Sequence, residues 1–203
     1  MIWFFHKIRK LTSSGREFAM NTNTPSTEVQ EAYQKAIRFA GERHGDQKMP
    51  ASRASYLVHL SNVAMEVILA ERHTDDFDLE FAVKVALLHD VLEDTPTTFE
   101  EVAESFTSEI AEAVLALTKN EDLPPDVQIP DSLMRIKALR KEVWAVKLAD
   151  RISNMQEPPS TWNTEKKKRY RQAAKLILQE LKGGNSYLES RLDRLIKDYS
   201  DFI

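Results

Sequence analysis

The residues best suited to chemistry lie in one stretch, Ala86-Leu87-Leu88-His89-Asp90-Val91-Leu92-Glu93-Asp94-Thr95. A His-Asp pair and then a Glu-Asp pair interrupt sequence that is otherwise apolar, with Val83, Val85, Leu87, Leu88, Val91 and Leu92 around them. A helix that needed only a solvated face would carry Lys, Glu and Gln there. Residues four apart stack on one side of a helix, which places Glu93 one turn beyond His89 and Asp94 one turn beyond Asp90. The result is a patch of imidazole and carboxylates at the edge of a buried surface. Buried carboxylates require a partner, hydrogen bonds or a cation, and a divalent metal meets that requirement. Taken alone, the same pattern also suits a salt-bridged polar edge.

Two other positions have the same character. His59 falls in the first turns of an apolar segment containing Tyr56, Val58, Leu60, Val63, Ala64, Val67, Ile68 and Leu69. Asp150 sits inside Val143-Trp144-Ala145-Val146-Lys147-Leu148-Ala149, followed by Arg151 and, one turn on, Asn154. Each has an ordinary reading: His59 as a satisfied core histidine, Asp150 as the partner of Lys147 or Arg151. The chain has no cysteine, which excludes disulfides and thiolate metal sites. A metal here would take His, Asp and Glu ligands, and so would be a hard or borderline ion such as Mn, Fe, Mg or Zn.

These residues need helices to hold them. A chain of 203 residues, 42% hydrophobic and with five glycines, suits one mainly helical domain plus a tail. Helical periodicity predicts a first helix from Thr27 to His44, a second from Ser55 to Arg72, and a third from Asp78 through Glu93-Asp94. Short helices follow from Thr97 to Phe106 and from Ser108 to Thr118. Thr27 with Gln30, Thr97 with Glu100, and Ser186 with Glu189 have capping-box spacing. Residues 120–131, with three prolines, read as a loop long enough to act as a flap. One long helix is predicted from Ser132 to Met155, another from Thr164 to Lys182, stopped by Gly183-Gly184, and a last one from Ser186. With no strand pattern, the expected fold is an all-α bundle. Residues 1–25 read as a weakly ordered extension and 26–203 as the domain. Met1 to Phe5 is apolar, but Lys7, Arg9 and Lys10 follow at once, so neither a signal peptide nor a membrane span is expected. The net charge of −4 argues against nucleic acid as a partner, and the lack of cysteine fits the cytoplasm.

The chain order His59, His89-Asp90, Asp150 resembles the HD-domain metal-dependent phosphohydrolases. LLHDVLEDT, Thr118-Lys119 and VKLADRISNM resemble the hydrolase domain of the RelA/SpoT family. RHGDQ followed by SYLVH resembles that family's first-ligand region. TWNTEKKKRYRQAAKLILQEL and then GNSYLE resemble its short, free-standing alarmone hydrolases. The resemblance spans about residues 29–200.

It implies an HD-domain helical bundle that hydrolyses the 3′-pyrophosphate of guanosine tetraphosphate or pentaphosphate, (p)ppGpp, to GDP or GTP plus pyrophosphate. It implies one divalent metal, usually Mn2+, held by His59, His89, Asp90 and Asp150, with Glu93 and Asp94 as the catalytic acidic pair. Arg43, His44, Lys48, Asn154 and Tyr170 match substrate contacts. The partner is then a nucleotide, with no nucleic acid and no membrane. The chain departs from the family at Leu60, where Pro is common, at Lys48 in place of Arg, and at Met-Pro-Ala-Ser-Arg-Ala-Ser in place of a Gly-containing approach to His59. Lysine lacks the planar, bidentate reach of arginine, so these changes fall on the base and 5′-phosphate contacts. Two alternatives stay open: another nucleotide phosphate ester, such as the 2′-phosphate of NADPH, and a non-catalytic alarmone-binding HD domain.

Overall fold

The computed structural model of the protein describes residues 25–203. The extension expected over residues 1–25 lies outside the described residues, Pro25 apart. In chain order the helices are α1 (Pro25–His44), α2 (Leu57–Glu71), α3 (Leu79–Leu88), α4 (Val91–Asp94), α5 (Phe99–Ser105) and α6 (Ser108–Leu117). They continue with α7 (Pro125–Lys137), α8 (Lys141–Asn154), α9 (Thr164–Glu180) and α10 (Ser186–Asp198), closed by a 3-10 turn, Tyr199–Phe202. No strand forms among the described residues, and the β pairing there is one isolated antiparallel bridge, Lys48 to Ser55. The all-α expectation holds.

Three helices make the centre. α3 is buried nearly all round, through Phe81, Ala82, Val83, Val85, Ala86, Leu87 and Leu88. It packs against α1, α2, α6 and α8. α2 contributes buried Leu60, Val63, Ala64 and Val67, and α8 contributes Val143, Ala145, Val146, Leu148 and Ala149. Small residues at Ala64, Ala82, Ala86, Ala145 and Ala149 fill little space between these axes, and helices pack closest where contact side chains are small. α2 and α8 carry His59 and Asp150, and His89 caps the end of α3, so burial of the core is what brings the three together.

Several boundaries differ from the sequence reading. The predicted third helix breaks after Leu88: Asp90 takes φ −103° and ψ −1°, and its carbonyl accepts from the Asp94 amide at 2.8 Å to start α4. Residues 120–131 are not a twelve-residue loop, because α7 begins at Pro125, where a fixed φ suits the first helical position. Pro130 lies inside α7, and the carbonyl it leaves unpaired belongs to exposed Asp126, where water can reach it. The segment free to act as a flap shrinks accordingly. The long helix expected from Ser132 to Met155 is two, split at Ala138 to Arg140.

Caps shift as well. α1 starts at Pro25, so Thr27 lies inside its first turn rather than before it. The reciprocal box on α5 is Thr98 with Glu101, while the neighbouring Thr97 is buried with its hydroxyl 2.7 Å from that of Thr95. Asn185, not Ser186, caps α10, and Glu189 accepts from the Gly183 and Asn185 amides. α9 ends at Glu180 with Leu181 as its cap, short of the expected Lys182, and Gly183 follows at φ +88°, in backbone that favours glycine.

The start of α8 is tied to the start of α3 by Glu142. Its carboxylate accepts from the Asp78 amide at 2.9 Å and from Arg140 Nε at 3.0 Å. Burial pushes the Glu142 pKa up, but Arg140 and the Asp78 amide outweigh it and hold it below the usual range. A depressed folded pKa stabilises above the unfolded value, near 4.3, and that stability disappears as pH falls through the folded value. Glu142→Ala is therefore expected to lose about 1–3 kcal/mol at pH 7 by denaturant unfolding. The gap to the parent protein should narrow below about pH 4.

Candidate active site

His59 enters the site from the first turn of α2, His89 and Asp90 from the break between α3 and α4, and Asp150 from the end of α8. Their donor atoms converge. His59 Nε2 and His89 Nε2 are 3.3 Å apart. Asp90 Oδ2 lies 2.9 Å from His89 Nε2 and 3.5 Å from His59 Nε2. Asp150 Oδ1 lies 3.5 Å from His59 Nε2 and 3.7 Å from His89 Nε2. Ligands about 2.1 Å from one ion stand roughly 3.0–3.4 Å apart, for cis-octahedral to tetrahedral angles, so this spacing fits a single metal. His59, His89 and Asp150 form a buried three-residue group able to hold an ion. Asp90 stands beside them, more exposed, with its Oδ2 on the same two imidazoles.

The far side of each ligand is held. His89 Nδ1 donates to the Ala86 carbonyl at 2.8 Å, which directs its Nε2 lone pair into the site. His59 Nδ1 lies 3.1 Å from Ser153 Oγ. Asp150 accepts from Lys147 Nζ at 3.1 Å through Oδ2 and from Asn154 Nδ2 at 2.6 Å through Oδ1. Tyr56 Oη donates to Asp90 Oδ2 at 2.5 Å. Such outer hydrogen bonds set tautomer and ring orientation at metal centres.

Electrostatics point the same way. Burial pulls the His89 pKa down, but Asp90 and Asp150 outweigh it and hold it well above the ordinary histidine value. Burial alone would raise Asp90 and Asp150, yet His89 and His59 beside Asp90, and Lys147 and His89 beside Asp150, keep both well below the carboxylate range. Asp90 and Asp150 therefore stay ionised next to two facing imidazole nitrogens. The N and O donors of this arrangement suit a hard or borderline divalent ion.

The family profile described as HD domain matches residues 36–184, which take in all four of these residues. The chain belongs to the HD-domain family. HD-domain hydrolases are metal-dependent, and this HD domain has a possible metal site at His59, His89 and Asp150. It is 30% identical over 169 residues to the guanosine-3′,5′-bis(diphosphate) 3′-pyrophosphohydrolase MESH1 of Xenopus tropicalis, covering 81% of this chain and 92% of that one. It is 35% identical over 128 residues to the guanosine-3′,5′-bis(diphosphate) 3′-pyrophosphohydrolase of Aquifex aeolicus, covering 62% of this chain and 17% of that longer protein. Among solved structures it superposes with a TM-score of 0.73 and 25% identity on a metazoan orthologue of SpoT described as hydrolysing ppGpp. That match covers 85% of this chain and 97% of the other. The resemblance to RelA/SpoT hydrolase domains is borne out.

The acidic pair of this HD domain is held from two directions. Glu93 accepts from the Lys119 amide at 3.0 Å and pairs with Lys119 Nζ, so the Thr118-Lys119 motif at the end of α6 reaches the site. Burial lowers the Lys119 pKa, but Glu93 outweighs it and raises it overall. Asp94 accepts from Gln47 Nε2 at 2.9 Å.

The residues expected on the substrate are spread more widely. Tyr170 lies over the Arg151 guanidinium at 4.6 Å and donates to the Asn154 carbonyl at 3.3 Å. Burial pushes its phenol up to about 12. Trp162 meets the Tyr170 ring edge-on at 5.0 Å. Lys48 is exposed. Arg43 is turned to Glu101, 3.0 Å away on α5, and over the Phe39 ring. His44 is buried, with Nδ1 2.7 Å from Gln47 Oε1 and its ring 4.9 Å from that of Tyr56.

Reading the chain by apolar periodicity counted Tyr56 as core and passed over Ser153. Each stands three residues from a ligand, Tyr56 before His59 and Ser153 after Asp150. That spacing puts them on the ligand's side of the helix. Once His59 and Asp150 are suspected, the spacing is the signal that finds them.

Proposed function

We propose that this protein is a metal-dependent 3′-pyrophosphohydrolase of (p)ppGpp, acting with Mn2+ in the cytoplasm through the single domain 26–203. The observation that carries the reading is the convergence of His59, His89, Asp90 and Asp150 from three helices, with the acidic pair Glu93-Asp94 one turn away. The names of its relatives, which cover most of both chains, support the substrate class. Among the described residues no helix is long and apolar enough to cross a membrane.

His59, His89, Asp90 and Asp150 would hold the ion. A divalent metal there lowers the pKa of bound water and neutralises charge on the attacked phosphate. The chain's own groups do the rest. One carboxylate of Glu93 and Asp94 orients the water and takes its proton as oxygen attacks the phosphorus joined to the 3′ oxygen. The 3′ oxygen–phosphorus bond breaks, pyrophosphate departs, and a proton is delivered to the 3′ oxygen, where the other member of the pair is the nearest candidate donor. Lys119, paired with Glu93, keeps a cation beside the developing charge. Arg43, His44, Lys48, Asn154 and Tyr170 are the proposed substrate contacts. Of these, Tyr170 and Asn154 already form one connected group with Asp150.

Incubation with guanosine tetraphosphate and Mn2+ is expected to yield GDP and pyrophosphate, and a chelator is expected to stop it. Phosphate release from NADPH with no pyrophosphate from the tetraphosphate would overturn the substrate assignment. Absence of turnover on both would overturn the enzyme reading.

A further inference from the structure

Residues 47–56 form a small hairpin-like loop. The Tyr56 amide donates to the Gln47 carbonyl at 3.0 Å and the Met49 amide to the Ala54 carbonyl at 3.0 Å, with Lys48 and Ser55 bridged between them. The two ends of the loop are thus held side by side. Each end sends one side chain to the acidic turn at α4. Gln47 Nε2 donates to Asp94 Oδ2 at 2.9 Å, and Tyr56 Oη donates to Asp90 Oδ2 at 2.5 Å. The receiving residues are four apart and face the loop from one side of a helical turn.

His44, at the end of α1, touches both donors. Its Nδ1 lies 2.7 Å from Gln47 Oε1, and its ring lies 4.9 Å from the Tyr56 ring at an angle of 30°. With Nδ1–H donating to Oε1, the Gln47 amide has one orientation, in which its NH2 group faces Asp94. Gly45, at φ +51°, turns the chain directly after His44 so that Gln47 can fold back onto it.

We infer that Gln47 and Tyr56 are positioning residues, a two-pronged clamp in which Tyr56 fixes the metal ligand Asp90 and Gln47 fixes the catalytic carboxylate Asp94, with His44 holding both prongs. The inference rests on the proposed metal site and acidic pair and deepens that reading. A neutral donor on each carboxylate restricts its rotation without adding charge, and leaves its other lone pairs for the ion or the water. The interior of the loop, from Lys48 to Ser55, makes neither contact. Its sequence can therefore change while the clamp stays in place.

The two prongs predict different defects. Tyr56→Phe removes one hydroxyl and is expected to weaken metal binding about 10–100-fold, read by calorimetry with Mn2+ in the absence of substrate. Gln47→Leu is expected to leave metal affinity within about twofold and to lower kcat about 10–100-fold, with KM changed much less, because a misplaced catalytic group slows the chemical step. Ala51→Gly, at φ +56° in the loop interior, is the control expected to alter neither. Thermal unfolding of the metal-free proteins separates a folding defect from a positioning one. Metal affinity unchanged in Tyr56→Phe, or kcat unchanged in Gln47→Leu, overturns the clamp while the metal site stands. A parent protein that binds no metal overturns both readings.

Discussion

Asp150→Ala and His89→Ala are each expected to abolish metal binding and turnover together. Asp150 is one of three buried donors, and its Oδ1 lies 3.5 and 3.7 Å from the two histidine nitrogens. Its removal takes away a charge the site needs to offset a cation and leaves buried Lys147 without its carboxylate. His89 is the least exposed ligand, fixed by the Ala86 carbonyl on one side and facing His59, Asp90 and Asp150 on the other. No neighbouring group can substitute from that position. The affinity loss in either variant is expected to exceed the about 100-fold that follows from losing a supporting hydrogen bond alone. Calorimetric titration with Mn2+ checks the binding and pyrophosphate release checks the turnover. Full activity in either variant would reject the site. Circular dichroism separates this outcome from unfolding, since α2, α3 and α8 pack through apolar residues that neither change removes.

Glu93→Gln is expected to have the opposite signature, with metal retained and kcat reduced by about 10²–10⁴-fold, as for the loss of a general acid or base. Glutamine preserves shape and can still accept from the Lys119 amide, which now holds Glu93 at 3.0 Å. It cannot take a proton from water, and it leaves the Lys119 cation without its partner. Single-turnover assays at saturating Mn2+, beside the same titration, separate the two effects. Loss of the ion in this variant would move Glu93 into the ligand shell and leave Asp94 as the remaining carboxylate for proton transfer.

The sequence showed the site's composition more clearly than its wiring. Four suspected ligands could be named from polar residues inside apolar helix, because burying a carboxylate or imidazole without a partner is unfavourable and the exception is visible in one dimension. Their order along the chain then matched a known pattern. Tyr56 escaped notice because its ring packs as core while its hydroxyl serves Asp90, 34 positions later. Gln47 stood out only as a polar loop residue, since its bond to Asp94 spans 47 positions. Helix ends were legible where a local cap decides them, as at Asp78. They were misread where proline was taken only as a breaker, as at Pro125 and Pro130 in α7.

Residue type and spacing by themselves determined an all-helical chain, a nitrogen and oxygen metal set free of thiolate, and an acidic pair one turn from a His-Asp pair. Those properties depend on interactions within a turn or two of helix, which a linear pattern records. The tertiary structure decided how the groups meet. His89 and Asp90 sit at the break that separates α3 from α4, with His89 Nε2 and Asp90 Oδ2 2.9 Å apart. The same break turns Glu93 to Lys119, just beyond α6, and Asp94 to Gln47, beyond α1. Packing of α2, α3 and α8 around a common core then places His59 and Asp150 against that break, across 30 and more positions of sequence. Contacts at that range are set by which apolar faces bury one another, and no local spacing encodes them.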